Sequence, residues 1–432
     1  MRWMISSRWA RNCLTAVETV VLVGLMGQSL LMYLAGRISS RQVSVDHLTL
    51  ASKLDPLDAD YPLALAHIHE YVPDEMNHGK ARAYLERAAR LSPSDPRPWL
   101  EMASMNLLNT AVAEASLRRA DYLAPTKPEV HWTIGNFMLL RGNTHEAFRH
   151  FRIVVAGTSH YNNTIFDIAW KASEDPLAIL KELIPSQLQS ELSYLYYLAD
   201  RHRDLEAVQV WSQIAAGSES VSLQQAANFI DDLIVSHHPN DAYRVWSDLV
   251  RRGWLTETVA RAGRNLLING DFEEDVFNVG FSWRIIPAQE AFVGLDTNTY
   301  RSPNHSLVVR FSGKTNLAFQ HVFQYVKVRP GQGYRLQGFA RSEGITADSG
   351  PRIEIADVYN PSVFDQLTDD LRTEGPVWTP FSMDFKTGSS TELIIVRVVR
   401  RPSGTLDNLI AGRFWLDDLS LQADADPIRP RN

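Results

Sequence analysis

The 432-residue chain reads as a multidomain α + β protein with three parts in series: an N-terminal transmembrane helix, an all-α array of helical hairpins and a C-terminal all-β sandwich. Three observations predict this. One long apolar run fills residues 14–35, and apolar triplets recur every 32 to 35 residues through the middle of the chain. After Trp254 helical spacing gives way to short alternating runs separated by Gly, Thr, Asn and Pro. The length suits two or three domains, and a 45% hydrophobic, 22% charged composition excludes bulk disorder. A formal net charge of -7 with scattered Lys and Arg argues against a nucleic-acid partner, and the single cysteine, Cys13, excludes a disulfide framework or a Cys-based metal site.

The run at 14–35, preceded by a short N-terminus (1–13) expected to be cytoplasmic, spans about 33 Å as a helix, roughly one bilayer core. Glu18 sits one turn inside its start and Gln28 near its middle; neither forbids insertion. A cleaved signal peptide would have a shorter apolar region and a small-x-small site, whereas Tyr33-Leu34-Ala35 puts a ring where a small residue is wanted. The expectation is an uncleaved single-span anchor. Arginines flank the run on both sides, so charge bias gives almost no orientation.

Residues 46–255 carry a repeat. Ala81, Leu85, Ala88 and Pro93 are matched 32 residues on by Ala113, Leu117, Ala120 and Pro125, and then by Ala147, Phe151 and Val154. The pattern returns as Ala207, Trp211 and Ile214, and again as Ala242, Trp246 and Leu249. Alanine lets two helices approach, a large residue one turn on fills the gap, and proline stops the second helix. These units resemble tetratricopeptide repeats, with 157–186 a degenerate member and five or six hairpins in all. The resemblance implies partner proteins bound in a groove lined by first-helix residues such as Asn106, Asn136 and Tyr197.

Residues 265–422 read as strands and turns of a two-sheet jelly roll, followed by a tail, 423–432, of disordered composition. The segment opens Asn265-Leu-Leu-Ile-Asn-Gly-Asp-Phe-Glu273, with Trp283 following, and closes Phe414-Trp-Leu-Asp-Asp-Leu-Ser-Leu421. Between them lie Val328-Arg-Pro-Gly331 with Tyr334, and Trp378-Thr-Pro-Phe381. In that order these motifs resemble the carbohydrate-binding modules of bacterial xylanases and glucanases. The resemblance implies a structural calcium between the terminal strands, with Glu273 and Asp417 at the matching positions. Sugar binding needs flat aromatic faces, for which Trp378, Tyr359 and Tyr325 are available, with Gln324 and Arg352 near them in sequence. The competing reading is that the two carboxylates bond turn backbone and the rings pack; Trp283 and Trp415 belong to strand positions and read as core.

No phosphate-binding loop, nucleophile elbow or zinc-protease motif occurs in the sequence. The densest titratable cluster is His67, His69, Glu70, Asp74, Glu75 and His78, which a predicted turn at Pro73 divides; paired carboxylates such as Glu354 and Asp357 could be imagined as a glycosidase couple. The order of parts implies no enzyme but a bacterial inner-membrane scaffold with its bulk in the periplasm, gathering partner proteins and contacting a surface or exported polysaccharide. The alternative is a protein-only assembly factor in which the sandwich caps the repeats and binds no sugar.

Overall fold

A computed structural model describes residues 8–41, 43–255 and 265–424. Expectations placed on residues 1–7, on the join at 256–264 and on the tail beyond Asp424 lie outside the described residues. The chain divides into two compact units, one ending at Ser190 and one beginning at Glu191.

The first unit begins with α1 (Arg8–Arg41), whose stretch Asn12–Ser40 is long and apolar enough to cross a membrane. The end of α1 is part of the protein interior. Ala35 is fully buried and shares a cluster with Leu48 and Ala51 of α2 (Val45–Leu54) and with Leu65 of α3 (Asp60–Tyr71). Ser44 caps α2 by accepting a hydrogen bond from the His47 N–H.

Hairpins follow: α3 with α4 (His78–Leu91), α5 (Arg97–Met105) with α6 (Thr110–Leu123), and α7 (Pro128–Leu140) with α8 (Thr144–Gly157). The degenerate stretch holds α9 (Asn162–Ala172) and the seven-residue α10 (Pro176–Glu182), and α11 (Leu188–Asp200) begins here and runs on into the second unit. The second unit continues with α12 (Asp204–Ala216), α13 (Leu223–Val235) and α14 (Pro239–Arg251). Helices α3 to α14 therefore make six pairs, and every repeat triplet falls on a second helix, at 3% exposure or less. Gly135 shows the packing constraint: a Cβ there would lie 2.5 Å from the Phe151 ring, so only glycine lets α7 lie on α8.

The turns between paired helices repeat as well. Gly142, His202 and His237 all have positive φ, and the next residue donates its N–H back to Met138, Leu198 and Leu233 respectively. This six-to-one bond closes the first helix before the second begins. Across hairpins, the buried Trp211 indole donates to Asp248 at 3.1 Å, tying α12 to α14.

The sandwich has two five-stranded antiparallel sheets. One, in the order β1-β4-β9-β6-β7, contains Arg284–Ile285 (β1), Phe319–Lys327 (β4), Leu393–Arg400 (β9), Arg352–Asp357 (β6) and Asp365–Leu367 (β7). The other, in the order β2-β3-β10-β5-β8, contains Ala291–Asp296 (β2), Ser306–Ser312 (β3), Ala411–Ala423 (β10), Gly333–Glu343 (β5) and Thr379–Lys386 (β8). Between them lies a core that includes Trp283, Val322, Leu336, Ile355, Val396 and Phe414.

The opening and closing motifs are stitched together. The Asn265 amide donates to the Leu419 carbonyl and accepts from the Leu421 N–H, and the Leu419 N–H donates to Gly270 O at 2.7 Å. A side chain at Gly270 would collide with that Leu419 carbonyl. Trp283 donates its indole N–H to Asn269 O and packs against Phe272. Trp415 is fully buried on the opposite face of β10, between Arg341 and Arg413, with its indole bonded to Asp296 at 2.8 Å.

A pH-dependent element sits in the α7–α8 hairpin. His131 and His150 are buried with their Nδ1 atoms 2.8 Å apart, and His131 Nε2 lies 2.7 Å from Pro125 O. A carbonyl only accepts, so His131 carries its proton on Nε2 and takes a hydrogen bond from His150 through Nδ1. Burial, together with His131 and Arg149, lowers the His150 pKa below its ordinary 6.5, against the opposing pull of Asp121 and Glu146. The unfolded chain then binds a proton that the folded one refuses, so stability is complete above pH 6.5 and falls as pH drops below that value. Urea unfolding of the full chain followed against pH should show this loss, and His150→Gln should flatten it.

Candidate functional site

In β4 the side chains of Val322 and Val326 enter the core, while Phe323, Tyr325 and Lys327 lie on the other face of the sheet. Gln324 points inward and is fully buried, its amide bonded at both ends to the Ile268 backbone. The outer face around Tyr325 is only partly open. Helices α13 and α14 lie against it within the second unit.

Asp231 of α13 organises this seam. Its carboxylate accepts both terminal nitrogens of Arg284, at 3.1 Å for one and closer for the other, and also the Gly280 N–H at 3.1 Å. The Arg284 guanidinium returns a bond to Gly280 O and lies 5.1 Å from the Tyr325 ring centroid. Phe281 then meets Trp246 and Tyr243 of α14 edge-on, at centroid distances of 5.9 and 5.3 Å. Gly280 has φ +52, and a Cβ there would sit 2.8 Å from the Trp246 ring and 3.3 Å from Ile230.

Tyr359 closes the other side of the seam. Its hydroxyl donates to Ile234 O at 2.8 Å and its ring stacks on His237 at 4.2 Å. Asn240 donates to Glu392 at 2.8 Å. Burial raises the pKa of both Tyr325 and Tyr359, so both phenols stay protonated and Tyr359 stays a donor.

Of the three aromatics nominated from the sequence, Tyr325 and Tyr359 are thus brought together against the helices. Trp378 lies elsewhere, half-buried before edge strand β8 of the other sheet. Arg352 donates to Thr368 O. Of the imagined carboxylate couple, Glu354 is held by Arg397 and Arg401, and Asp357 accepts the N–H groups of Tyr359 and Asn360.

The nominated calcium pair, Glu273 and Asp417, converges on one loop between β2 and β3. Glu273 accepts from the N–H groups of Asn304 and His305 and from the Asn304 amide; Asp417 accepts from the N–H groups of Arg301, Ser302 and Asp418. Every carboxylate oxygen of the pair faces a hydrogen-bond donor. Burial pushes both acids upward. For Glu273 the N–H donors and the His305 ring outweigh it and hold the pKa below the usual value, whereas for Asp417 burial prevails. The histidine cluster disperses: His69 bonds Glu75 O, His78 bonds Glu70, and His67 faces Glu101. Among the described residues no group of three or more metal-binding side chains converges.

In the repeats, Asn106 and Asn136 each donate to the carbonyl four residues back, and Tyr197 is buried. Their helices α5 and α7 nevertheless flank an open cavity of about 320 Å³ lined by Leu107, Trp132, Asn136 and Leu140. Leu140 is 74% exposed.

No family model matches the chain, and no curated protein matches it. Solved structures similar to it include the enzymatically active domain of tailspike protein 4 of bacteriophage CBA120, at 13% identity and TM-score 0.28 over 37% of this chain. This chain spans only 22% of that one. Another is a xylan-binding domain from carbohydrate-binding module family 22, at 19% identity and TM-score 0.27, covering 38% of this chain and 99% of that one. A third is PilF of Pseudomonas aeruginosa, at 16% identity and TM-score 0.25, covering 52% of this chain and 92% of that one.

Three expected outcomes follow from the seam and from the loop that Glu273 holds. Asp231→Ala leaves Arg284 without its carboxylate and should cost about 2–4 kcal/mol in urea unfolding of the full chain. Gly280→Val should have a similar effect and open the seam to limited proteolysis. Glu273→Gln should lower the melting temperature, because its carboxylate holds the Asn304 and His305 N–H groups of the loop between β2 and β3.

Proposed function

We propose that the chain is a non-catalytic, membrane-anchored scaffold that binds partner proteins through its repeats and uses the sandwich to close the end of the array. The observation that carries this reading is the seam. The sheet face holding Tyr325 and Tyr359, the rings best suited to stacking on sugar, is occupied by α13 and α14. A terminal repeat has an apolar side with no neighbour, and a β-sandwich pressed onto it removes that side from water. The helices leave both rings only partly exposed.

Retention of the anchor is supported by Ala35, because cleavage after it would cut a residue packed among α2 and α3 out of its own chain context. The proposed setting is a bacterial inner membrane, with the repeats and sandwich on the periplasmic side, in assembly of the envelope or of an exported polysaccharide. The open cavity between α5 and α7, with its exposed leucines, is the surface best suited to an apolar peptide segment.

Two measurements test the reading. N-terminal sequencing of the membrane-fraction protein should return a start before residue 14; a start at residue 36 would sink the anchor. A photo-crosslinking residue at Leu140 should capture discrete partners that one at Tyr122, exposed outside the groove, does not. Equal capture from both positions would remove the groove from the proposal.

A further inference from the structure

We infer that the groove between α4 and α6 is a docking site for an acidic amphipathic helix of a partner protein. The inference rests on the reading of the repeats as a protein-binding array and adds a second surface to it. The cavity between α5 and α7 separates two first helices, whereas this groove, about 670 Å³, separates two second helices. Ala89 of α4 and Ala111, Val112 and Ala115 of α6 wall it, and Trp99 and Met102 of α5 complete the lining.

The repeat register makes this surface an exception. Ala113 and Leu117 match Ala147 and Phe151, so Ala111, Val112, Ala115 and Ser116 of α6 match His145, Glu146, Arg149 and His150 of α8. In α14, aligned through Ala242 and Trp246, the same positions hold Asn240, Asp241, Arg244 and Val245. Polar side chains suit a face left to water; α6 presents small, mostly apolar ones there instead. The hairpin does not need them, since its packing uses Ala113, Leu117 and Ala120. Ala111 and Ala115 are exposed, and Val112 is 38% exposed. Trp99 continues the exception. Its match on α7, His131, bonds Pro125 O and His150, whereas the Trp99 indole N–H is shielded from solvent and meets no acceptor. An apolar groove with an aromatic ring in its lining suits a protein contact.

The other wall supplies the charge. Helix α4 carries Lys80, Arg82, Arg87 and Arg90 against Glu86 alone. Arg82 pairs with Glu86, and Arg90, also in the groove lining, forms no ion pair among the described residues. Complementarity therefore calls for an apolar stripe flanked by carboxylates. Small wall residues let the backbone of a partner come close, and a helix brings its own N–H and C=O groups already paired. An extended segment would find no sheet edge between two helices to satisfy its main chain.

The test is a phage-displayed library of peptides of about 15 residues, depleted on the full-length Ala115→Arg protein in detergent and then selected on the unmodified protein. That change gives α6 the residue type that α8 carries at Arg149. Enrichment is expected for sequences with apolar residues at helical spacing and with Asp or Glu beside them. A synthetic copy of the leading peptide should bind the unmodified full-length protein about tenfold or more tighter than the Ala115→Arg protein, and severalfold tighter than the Arg90→Glu protein. Exchanging its carboxylates for lysines should restore affinity for the Arg90→Glu protein. Both substitutions fall at exposed positions, and an unchanged melting temperature confirms that the variants fold. No enrichment after depletion, or equal affinity for both variants, overturns the site. Enriched sequences without helical spacing overturn the helix, and enriched lysine-rich ones overturn the acidic class. The Leu140 crosslink leaves α6 unmodified, so it reports separately on the array as a protein-binding surface.

Discussion

Asp231 leaves α13 at the point where Arg284 opens the first sheet, and its two oxygens hold three donors from the sandwich at once. The rest of the seam depends on that arrangement. With Arg284 held, its guanidinium is placed over Tyr325; with the Gly280 N–H held, the backbone turns so that Phe281 enters between Tyr243 and Trp246. Trp246 is itself the large residue of the last repeat triplet. One side chain thus serves both the packing inside a hairpin and the union of that hairpin with a β-fold. The ion pair is only partly exposed, at 17% and 32%, so it works at lower dielectric than a surface pair, and removing either partner strands the other.

The repeat was legible because its packing rule recurs. Wherever two helices must approach, an alanine and a large apolar residue one turn apart solve the same steric problem, and the spacing repeats with it. The rule weakens at α9 and α10, where a seven-residue second helix leaves too few turns to carry the full triplet. The terminal motifs of the sandwich were legible for a similar reason, since Asn265, Gly270 and Trp283 each meet a backbone partner that tolerates little else. What Glu273 and Asp417 do was less legible, because a carboxylate bonded to loop N–H groups and one bonded to a metal look alike in sequence.

The seam left no signal in the sequence. Asp231 and Arg284 are 53 residues apart, and Tyr359 reaches back 125 residues to Ile234, with no periodicity to connect them. An outward-facing tyrosine on a strand has the same local pattern whether water, a sugar or a helix covers it. Only the tertiary arrangement decides, and here it brings the helices of the last repeat onto the rings that strand periodicity leaves outside the core.

The burial of Ala35 has a mechanical consequence. Helix α1, at 34 residues, is about 51 Å long, well beyond a hydrocarbon core of about 30 Å. Set in a bilayer, a helix of that length tilts or stands proud of the surface, and the choice follows local thickness. A flexible tether would absorb the difference. Because α1 ends inside the interior shared by α2 and α3, in a bilayer any tilt would instead turn the first hairpins with it, and the lipid would set the angle at which they face their surroundings.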